Sequence, residues 1–169
     1  PTPHPEEPEE KPKEPEEPQP VIVCDNCLRI YPKKNKLGTT SDIIWSEYFN
    51  LPGAKRPAFI IDSNSNIENL TDTWNGEYSI GSDIEYFELY FENNLTTCEK
   101  MFKDDTVIDK IYINNIVSEE ISSTESMFEG SGVTKIIISN FTNNKIKSVK
   151  LMFSGCKNLE GINLSDFNT

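Results

Sequence analysis

Histidine is nearly absent from this sequence. A single residue of the 169, His4, is a histidine, and it lies in a proline-rich N-terminal segment. The rest of the chain offers no histidine for a Ser-His or Cys-His nucleophile pair, or for most zinc-hydrolase sites. A glycine-rich loop that could hold a phosphate is missing as well. We therefore expect a protein that is not an enzyme and that binds no cofactor or metal.

Positive charge and long apolar runs are also scarce. The chain has 16 Lys and Arg residues against 28 Asp and Glu residues, for a net charge of -12. Because nucleic-acid phosphates bind clustered Lys and Arg side chains, this balance argues against a nucleic-acid partner. No apolar run approaches the roughly 20 residues that span a bilayer, so we expect no direct membrane insertion in this segment. The chain begins at Pro1 rather than at Met, as expected of a mature or excised piece.

The first twenty residues, PTPHPEEPEEKPKEPEEPQP, differ from the rest. They hold eight of the 11 prolines, seven glutamates and no large apolar side chain. Such a segment cannot bury enough apolar surface to offset the entropy lost on ordering, and proline together with glutamate repulsion extends it. We predict a disordered Pro/Glu-rich spacer over residues 1–20. A docking peptide is the alternative, although P-x-x-P matches are expected by chance in such a run.

A phrase of 25 or 26 residues occurs three times in the second half of the chain. It begins with a Met-Phe pair, continues through a short polar turn, and ends in an apolar strand: DKIYI, TKIII or EGINL. The pairs are Met101-Phe102, Met127-Phe128 and Met152-Phe153. Internal repeats of this length are typical of proteins in which similar units stack on one another.

Within each repeat the apolar residues alternate, which is the period of a β-strand. The alternating pairs are Ile111 and Ile113, Ile136 and Ile138, and Ile162 and Leu164. We expect these strands to form a parallel sheet, with the Met-Phe pairs packed against it from a short helical or turn segment. Phe87, Leu89 and Phe91 alternate in the same way, so we expect an atypical first repeat there.

The third copy, MFSGCKNLEGINLSDFNT, closely resembles the repeat of BspA-like leucine-rich-repeat surface proteins of oral bacteria, mycoplasmas and parasitic protists. The family pattern MF-x-GC-x-x-L-x-x-L-x-L-S-x-F-x-T is met at Met152, Phe153, Gly155, Cys156, Leu159, Ile162, Leu164, Ser165, Phe167 and Thr169. The other copies depart from it, since Asp105 and Ser131 replace the cysteine and Asn115-Ile116 replaces the final polar-Phe pair. The resemblance covers residues 84–169, about half of the chain.

This resemblance implies both a fold and a role. The implied fold is a leucine-rich-repeat-like solenoid with parallel strands over residues 84–169. Together with the residues before it, we expect an α/β, β-rich chain in which a small α+β or β-rich N-terminal cap precedes the solenoid. The role is adhesion without catalysis, by a cell-surface or secreted protein that binds a protein or a host/matrix ligand. The last repeat ends just after a strand, so we expect a truncated array.

Residues 21–83 carry no repeat. The stretch SDIIWSEYFNL favours a short helix capped by Ser41, while PVIVCDNCLRIYP and RPAFIIDSNS favour strands. Asn75-Gly76, between Trp74 and Tyr78, is typical of a hairpin turn. Because a repeat array needs a cap over the end of its core, we assign that role to residues 21–83.

The four cysteines do not define a metal site. Cys24 and Cys27 form the one C-x-x-C motif, and a structural zinc needs four ligands. A disulfide involving either residue, free thiols and a thioredoxin-like redox pair stay open as alternatives, and with them the redox compartment. Cys98 and Cys156 occupy repeat positions, so we interpret them as part of the repeat rather than as metal ligands.

Acidic pairs and glycosylation motifs are interpreted as surface features. Asp104-Asp105 and Glu119-Glu120 lie in polar turns with no apolar pocket that would raise a pKa, so we expect solvated carboxylates. No calcium-binding D-x-[DN]-x-[DN]-G run occurs. N-x-[ST] sequons begin at Asn69, Asn94, Asn140 and Asn163. They matter only in a secreted eukaryotic protein, and an Asx turn is the favoured role of Asn140.

The outward face of the repeat strands is the candidate binding surface. We expect one column formed by Tyr90, Tyr112, Ile137 and Asn163, and a neighbouring column of Lys110 and Lys135. Tyrosine combines a rigid ring with a polar tip, and it is frequent among the residues that anchor interfaces. The alternative is an exposed sheet whose tyrosines reflect β-propensity alone.

The sequence thus predicts a non-catalytic cell-surface adhesion or protein-recognition module that binds through the strand face of its repeats. An intracellular repeat scaffold or regulatory interaction protein is the alternative, and secretion and disulfide content would separate the two. An enzyme within residues 21–83 is disfavoured, because that region has neither a histidine nor a phosphate-binding glycine loop.

Overall fold

The computed structural model describes Cys24, residues 26–114, Ile116, and residues 120–139 and 145–164. The predicted spacer, residues 1–20, lies outside them. Within them the chain forms nine strands: β1 Cys27–Pro32, β2 Thr40–Asp42, β3 Phe59–Asp62, β4 Ile67–Asn69, β5 Glu77–Ser79, β6 Phe87–Tyr90, β7 Ile108–Asn114, β8 Lys135–Ser139 and β9 Gly161–Asn163. Two 3-10 turns, Lys34–Lys36 and Ser46–Asn50, are the helical segments of this part.

Seven strands form one mixed sheet in the order β4-β3-β6-β1-β7-β8-β9. The first five strands in this order pair antiparallel, with β1 between β6 and β7. The three repeat strands, β7, β8 and β9, are parallel to one another. β2 and β5 form a separate antiparallel pair. The direction of pairing therefore changes at β7, which has an antiparallel neighbour on one side and a parallel neighbour on the other.

One face of the large sheet is buried in a continuous hydrophobic core. Alternation along β1 directs Leu28 and Ile30 to this face, and both are fully buried, as is Ile111 of β7. Tyr48, from the region before residue 83, and Phe102, from the first repeat, belong to the same core cluster. Residues on both sides of the predicted boundary at residue 83 thus share one sheet and one core; the boundary itself stays a prediction.

The predicted fold class, an α/β leucine-rich-repeat-like solenoid with parallel strands, is wrong. The described residues contain no α-helix, and their main sheet is mixed rather than parallel. Part of the reason is conformational, because a residue in the left-handed region interrupts an α-helix. Such residues recur at the same two places in each repeat turn: Lys100 and Asp104, Ser126 and Gly130, and Leu151 and Gly155. The described part also holds no helix that is long and apolar enough to cross a membrane.

The turns of successive repeats are joined by a ladder of backbone hydrogen bonds. The N–H of Phe102 donates to the carbonyl of Met127, and the N–H of Phe128 donates to the carbonyl of Met152, both at 2.9 Å. The rings of Phe102, Phe128 and Phe153 stack along the same direction, with centroids 5.4 and 6.0 Å apart. The Met-Phe pairs therefore hold neighbouring repeats together through both backbone and side chains.

An atypical first repeat around Phe87 would lie beside the first repeat strand, β7. The segment does not occupy that position. Its strand, β6, is separated from β7 by β1, which pairs with both. The first turn of the ladder is instead met by residues from the 3-10 segment. The N–H of Trp45 donates to the carbonyl of Met101 at 2.9 Å, and the Tyr48 hydroxyl donates to the carbonyl of Thr97 at 3.1 Å.

Two smaller predictions for residues 21–83 are also wrong. Ser41 lies in β2 instead of capping a helix, and the 3-10 turn Ser46–Asn50 replaces that helix. Asn75-Gly76 does not close a hairpin, because the strand after it, β5, pairs with β2. Gly76 has a φ of 104°, and a Cβ at this position would collide with the carbonyl oxygen of Ile44. The glycine is required by this close approach rather than by a hairpin.

Candidate functional site

The face of the sheet opposite the core, here the outer face, brings together most of the predicted binding residues. Tyr112 pairs with Ile137, and Ile137 pairs with Asn163, so these three lie side by side on β7, β8 and β9. Lys110 and Lys135 are paired on β7 and β8 in the neighbouring row. The spacing of the repeats places both sets in register.

Tyr90 is not part of that column. Its partners in register are Cys27 on β1 and Phe59 on β3. The insertion of β1 places Tyr90 two strands away from β7 and in a different row. The column predicted from the sequence is therefore split.

Exposure also differs along the column. Tyr112 is 6% exposed and Ile137 is 8% exposed, whereas Asn163 is exposed. Tyr90 and the two lysines are half-buried. The accessible aromatic surface is consequently centred on the strands around β1 rather than on the repeat strands.

Arg29 and Glu88 form the polar centre of the outer face. Arg29 lies on β1 between Glu88 of β6 and Tyr112 of β7. Its Nη2 and Nε lie 2.6 and 2.7 Å from Oε1 of Glu88, and the Tyr90 hydroxyl donates to Oε2 of Glu88 at 2.8 Å. The two side chains are 12% and 8% exposed. A charge-assisted pair as shielded as this one is held in one geometry.

Aromatic rings surround this ion pair. The guanidinium carbon of Arg29 lies 4.2 Å from the centroid of Tyr86, within cation–π range. The ring of Tyr31 lies 5.6 Å from that of Tyr86 and 5.4 Å from that of Tyr112. The rings of Phe59 and Tyr90 stack at 4.8 Å. We call this group the aromatic face: Arg29, Tyr31, Phe59, Tyr86, Glu88, Tyr90 and Tyr112.

Burial and hydrogen bonding shift the pKa values of three groups of the aromatic face: Arg29, Tyr31 and Tyr90. Burial, together with the bond to Glu88, raises the pKa of Tyr90 to about 12. Burial also raises the pKa of Tyr31, and Arg29 partly opposes this. Burial acts to lower the pKa of Arg29, but its hydrogen bonds to Glu88 and Tyr31 raise it overall. At neutral pH the face therefore offers hydroxyl donors around a neutralised ion pair.

Sequence reasoning missed five members of this face, including Glu88, which stands in the same phase as Tyr90. Arg29 and Tyr31 alternate with the core residues of β1, and Tyr86 stands in the same phase as Tyr90. Phe59 alternates with Ile60 in β3. Period-two alternation could have placed each residue on an outer face, but no signal in the sequence showed that these strands neighbour one another.

Cys24 and Cys27 are joined by a disulfide, with their Cα atoms 5.9 Å apart. This is one of the alternatives that the sequence left open. In the described part of the chain, these two and Glu88 are the group of three whose ligand atoms lie within 4.8 Å of one another. The arrangement suits a metal poorly, because both sulfurs are bonded and Glu88 is bound by Arg29 and Tyr90.

The other two cysteines lie within the repeats. Cys98 is completely buried, and burial raises the pKa of its thiol to about 12. Cys156 is half-buried, and its Sγ donates to the carbonyl of Phe128 at 2.9 Å. Both thiols are therefore held in the protonated form at neutral pH, which makes them poor nucleophiles.

The expectation of a solvated carboxylate is wrong for Asp105. Asp104 is exposed, but Asp105 is 7% exposed. Its Oδ1 accepts hydrogen bonds from the N–H groups of Val107 and Ile108 at 2.8 and 2.7 Å. Burial raises the pKa of Asp105 to about 6, although these two bonds and the charges of Lys33 and Lys36 act to lower it.

Asp105 also lines a second candidate site, here called the Trp45 pocket. This pocket has a volume of about 300 Å³ and lies between the turn of the first repeat and the region around β2. Its lining includes one aromatic ring and five charged side chains: Trp45, Lys36, Asp42, Lys103, Asp104 and Asp105. No pattern in the sequence predicted that these residues would line one pocket.

The remaining sequence candidates fall on the surface or outside the described residues. Asn69, Asn94 and Asn163 are exposed. Asn140 and Glu119 lie outside the described residues, as does Asn115 of the repeat pattern.

Comparison with known proteins identifies no relative. No protein-family model matches this chain, and neither a curated protein nor a solved structure matches it significantly. The resemblance to the BspA-like repeat stays a prediction from the sequence motif.

Proposed function

We propose that this chain is a non-catalytic protein-recognition module, acting in adhesion, which binds its ligand through the aromatic face. The observation that carries the proposal is the concentration of five aromatic rings and one arginine on the outer face of a single sheet. Tyrosine and arginine are the residues most often found at the energetic centre of protein interfaces.

The packing of these side chains suits recognition. Arg29 is held by Glu88 and by the ring of Tyr86, so its position does not have to be ordered when a ligand binds. Tyr31, Tyr86 and Tyr90 are half-buried, so each presents part of a ring while the rest is packed. Rigid rings with an accessible edge and a hydroxyl group contribute apolar contact and a hydrogen bond at low entropic cost.

The charges of the outer face support a protein ligand of neutral or acidic character. Arg29 and Glu88 neutralise each other, whereas Lys110 and Lys135 add two positive charges in the row that contains Tyr31. This patch contrasts with the net charge of -12 of the whole chain. Such a local reversal of sign favours a ligand that presents carboxylates next to apolar groups.

We place this function at the cell surface or in a secreted protein. The Cys24–Cys27 disulfide supports that location, because disulfides persist in oxidising compartments. The host or its extracellular matrix is then the natural source of ligands. Finding both cysteines reduced in protein isolated from its source, by thiol labelling and mass spectrometry, would favour the intracellular scaffold instead.

The test is a binding experiment with purified chain and immobilised matrix proteins, namely fibronectin, laminin and collagen, measured by surface plasmon resonance. Replacing both Tyr31 and Tyr86 with Ala should weaken binding to any ligand of the panel at least about tenfold, as expected for two anchor residues. Leu151→Ala is the matched control, since Leu151 is 47% exposed and lies in a repeat turn rather than on the outer face.

Full-strength binding by a folded Tyr31/Tyr86 double variant would refute a role for the aromatic face. Equal losses in the double variant and in Leu151→Ala would show that the contact lies elsewhere. Circular dichroism of each variant establishes that the fold is retained. If the unmodified chain bound no member of the panel, fibronectin, laminin and collagen would be excluded as its ligands.

A further inference from the structure

In the first two repeats, the residue at the position of Asp105 accepts a backbone hydrogen bond within the turn, and in the second repeat it does so without a charge. Its Oδ1 accepts the N–H of Val107, two residues later. In the next repeat the equivalent residue is Ser131, and its hydroxyl oxygen accepts the N–H of Val133 at 3.3 Å. A neutral group therefore serves the same turn, and the negative charge of Asp105 has no role in it.

The second oxygen of Asp105 strengthens this point. The side chain is 7% exposed. Both hydrogen bonds of the turn go to Oδ1, and Oδ2 accepts none from the described residues. A buried carboxylate is costly unless its charge is compensated. A costly charge beside a cavity is a marker of a functional group.

The cavity beside Asp105 is the Trp45 pocket. Its volume of about 300 Å³ lies at the lower end of the range of ligand sites, which suits a small ligand or a single side chain. The backbone of Trp45 is fixed by the bond from its N–H to the carbonyl of Met101. Trp45 and Asp105 therefore line the same pocket, with the backbone of Trp45 anchored to the first repeat.

The charges of the lining select a cation. Three carboxylates, those of Asp42, Asp104 and Asp105, face two ammonium groups. One of these, on Lys103, is already paired with Glu129 at 3.1 Å. Lys36 in the lining and Lys33 beside it leave two positive charges against three negative ones. The net charge of -12 on the chain further raises the local concentration of cations.

The spacing of the carboxylates argues against a metal ion. In the described part of the chain, the oxygens of Asp42, Asp104 and Asp105 do not form a group within 4.8 Å, which a metal shared by all three would require. A ligand with an ammonium head and a carbon chain can meet separate carboxylates and an aromatic ring in turn. Ammonium groups are also attracted to the face of an indole ring.

We propose that the Trp45 pocket binds a primary alkylammonium group, with Asp105 as its principal charge partner and the Trp45 ring along its carbon chain. The group can belong to a small free amine or to a lysine side chain of another protein, since both present the same chemistry. This site is separate from the aromatic face and does not depend on it.

The proposal predicts a dependence on pH. The raised pKa of Asp105, about 6, leaves its carboxylate charged at neutral pH and protonates it below that value. The charges of Lys33 and Lys36, at and within the neighbouring 3-10 turn, act to lower this pKa. Binding of an ammonium group should therefore weaken as the pH falls through about 6.

The test uses the full chain with Trp74→Phe, which leaves Trp45 as its sole tryptophan. Titration with n-butylammonium chloride at pH 7.5 should change the Trp45 fluorescence saturably, with a Kd in the millimolar range, roughly 1–10 mM for so small a ligand. The uncharged analogue n-butanol should cause no saturable change. N-acetyl-lysine methylamide presents the same group on a peptide-like backbone and separates the two sources.

Asp105→Asn should raise the Kd for n-butylammonium at least about tenfold, which is the loss of roughly one charge-assisted contact. The variant keeps an amide oxygen that can accept the N–H of Val107, so the turn is retained. Asp72→Asn, at an exposed position outside the pocket, is the matched control and should bind normally. If Asp105→Asn fails to fold, Asp42→Asn, at an exposed wall of the pocket, should weaken binding several-fold.

Three results would overturn the proposal: no saturable change up to about 100 mM amine, an equal response to n-butanol, or unchanged affinity in folded Asp105→Asn. Binding of n-butylammonium but not of the lysine derivative would assign the site to free amines. Tighter binding of the lysine derivative would assign it to a lysine side chain.

Discussion

Asp105→Asn should stabilise the protein at neutral pH and have little effect in acid. The side chain is 7% exposed, and burial raises its pKa from 3.8 to about 6. Between these two values the folded protein binds the proton more tightly than the unfolded chain does. This group therefore adds stability as the pH falls from about 6 to about 4, and it removes stability above that window.

The magnitude follows from the same pKa values. At about 1.4 kcal/mol per pKa unit, the rise from 3.8 to about 6 lowers the free energy of unfolding at neutral pH by about 3 kcal/mol. Asparagine removes the charge and keeps an oxygen that can accept the N–H of Val107. The variant should thus exceed the parent in stability by up to about 3 kcal/mol at pH 7.5, with the difference falling towards zero near pH 4.

Urea denaturation of both proteins at pH 4, 5, 6 and 7.5, followed by circular dichroism, measures this difference directly. Asp83→Asn, which makes the same chemical change at an exposed position, is the control. A stability difference between Asp105→Asn and the parent that stayed constant across the pH range would refute the reasoning. The reasoning would also be refuted if the stability of the variant minus that of the parent were lower at pH 7.5 than at pH 4.

Three further outcomes are expected. Arg29→Met leaves Glu88 buried without its cation and should lower the free energy of unfolding, measured by urea denaturation, by about 3 kcal/mol. Adding Glu88→Gln should recover part of this loss, and no recovery would contradict the pairing. Phe128→Ala removes the central ring of the three stacked rings and should lower the free energy of unfolding by about 3–5 kcal/mol. Phe153→Ala, at the half-buried end of the stack, should lower it less, and equal losses would contradict the stacking argument. Reducing the Cys24–Cys27 disulfide opens a short loop and should lower stability by only about 2 kcal/mol in the same assay, so complete unfolding on reduction would show a larger role.

The apolar pattern of the repeats correctly predicted two strands and their buried residues. Alternation in DKIYI and TKIII predicts strands with Ile111 and Ile136 on the core side, and both residues are fully buried in β7 and β8. The constant spacing of the Met-Phe pairs predicts neighbouring repeats, and Phe102 and Phe128 stack. These features are local, because they depend on residue order within one strand and on a fixed distance between copies.

The strand neighbours of Tyr90 could not be predicted from the pattern. Alternation assigns Tyr90 to the outer face of its strand, but its neighbours depend on which strand lies beside β6. That strand is β1, more than fifty positions earlier in the chain, as the pairing of Cys27 with Tyr90 shows. Long-range antiparallel pairing leaves no period in the sequence, so Arg29 and Tyr86 could not be brought together in advance.

Asp105 illustrates a second kind of information that the sequence lacks. A polar turn in the sequence is solvated unless other segments cover it. The first repeat turn is covered by the region around Trp45, whose N–H donates to Met101. Burial in the folded chain raises the pKa of Asp105, and no residue near Asp105 in the sequence indicates that burial.

The sequence by itself determined the positions of the three repeat strands, the buried side of β7 and β8, and the repetition of the Met-Phe turns, but not the side of β9, where Ile162 is 44% exposed. Each of these follows from the local spacing of apolar residues, which sets the direction of neighbouring side chains. Only the tertiary structure decided the insertion of β1 between β6 and β7, the assembly of the aromatic face, and the burial of Asp105. These depend on contacts between distant segments, where the gain from shared burial selects one arrangement among several that the local pattern allows.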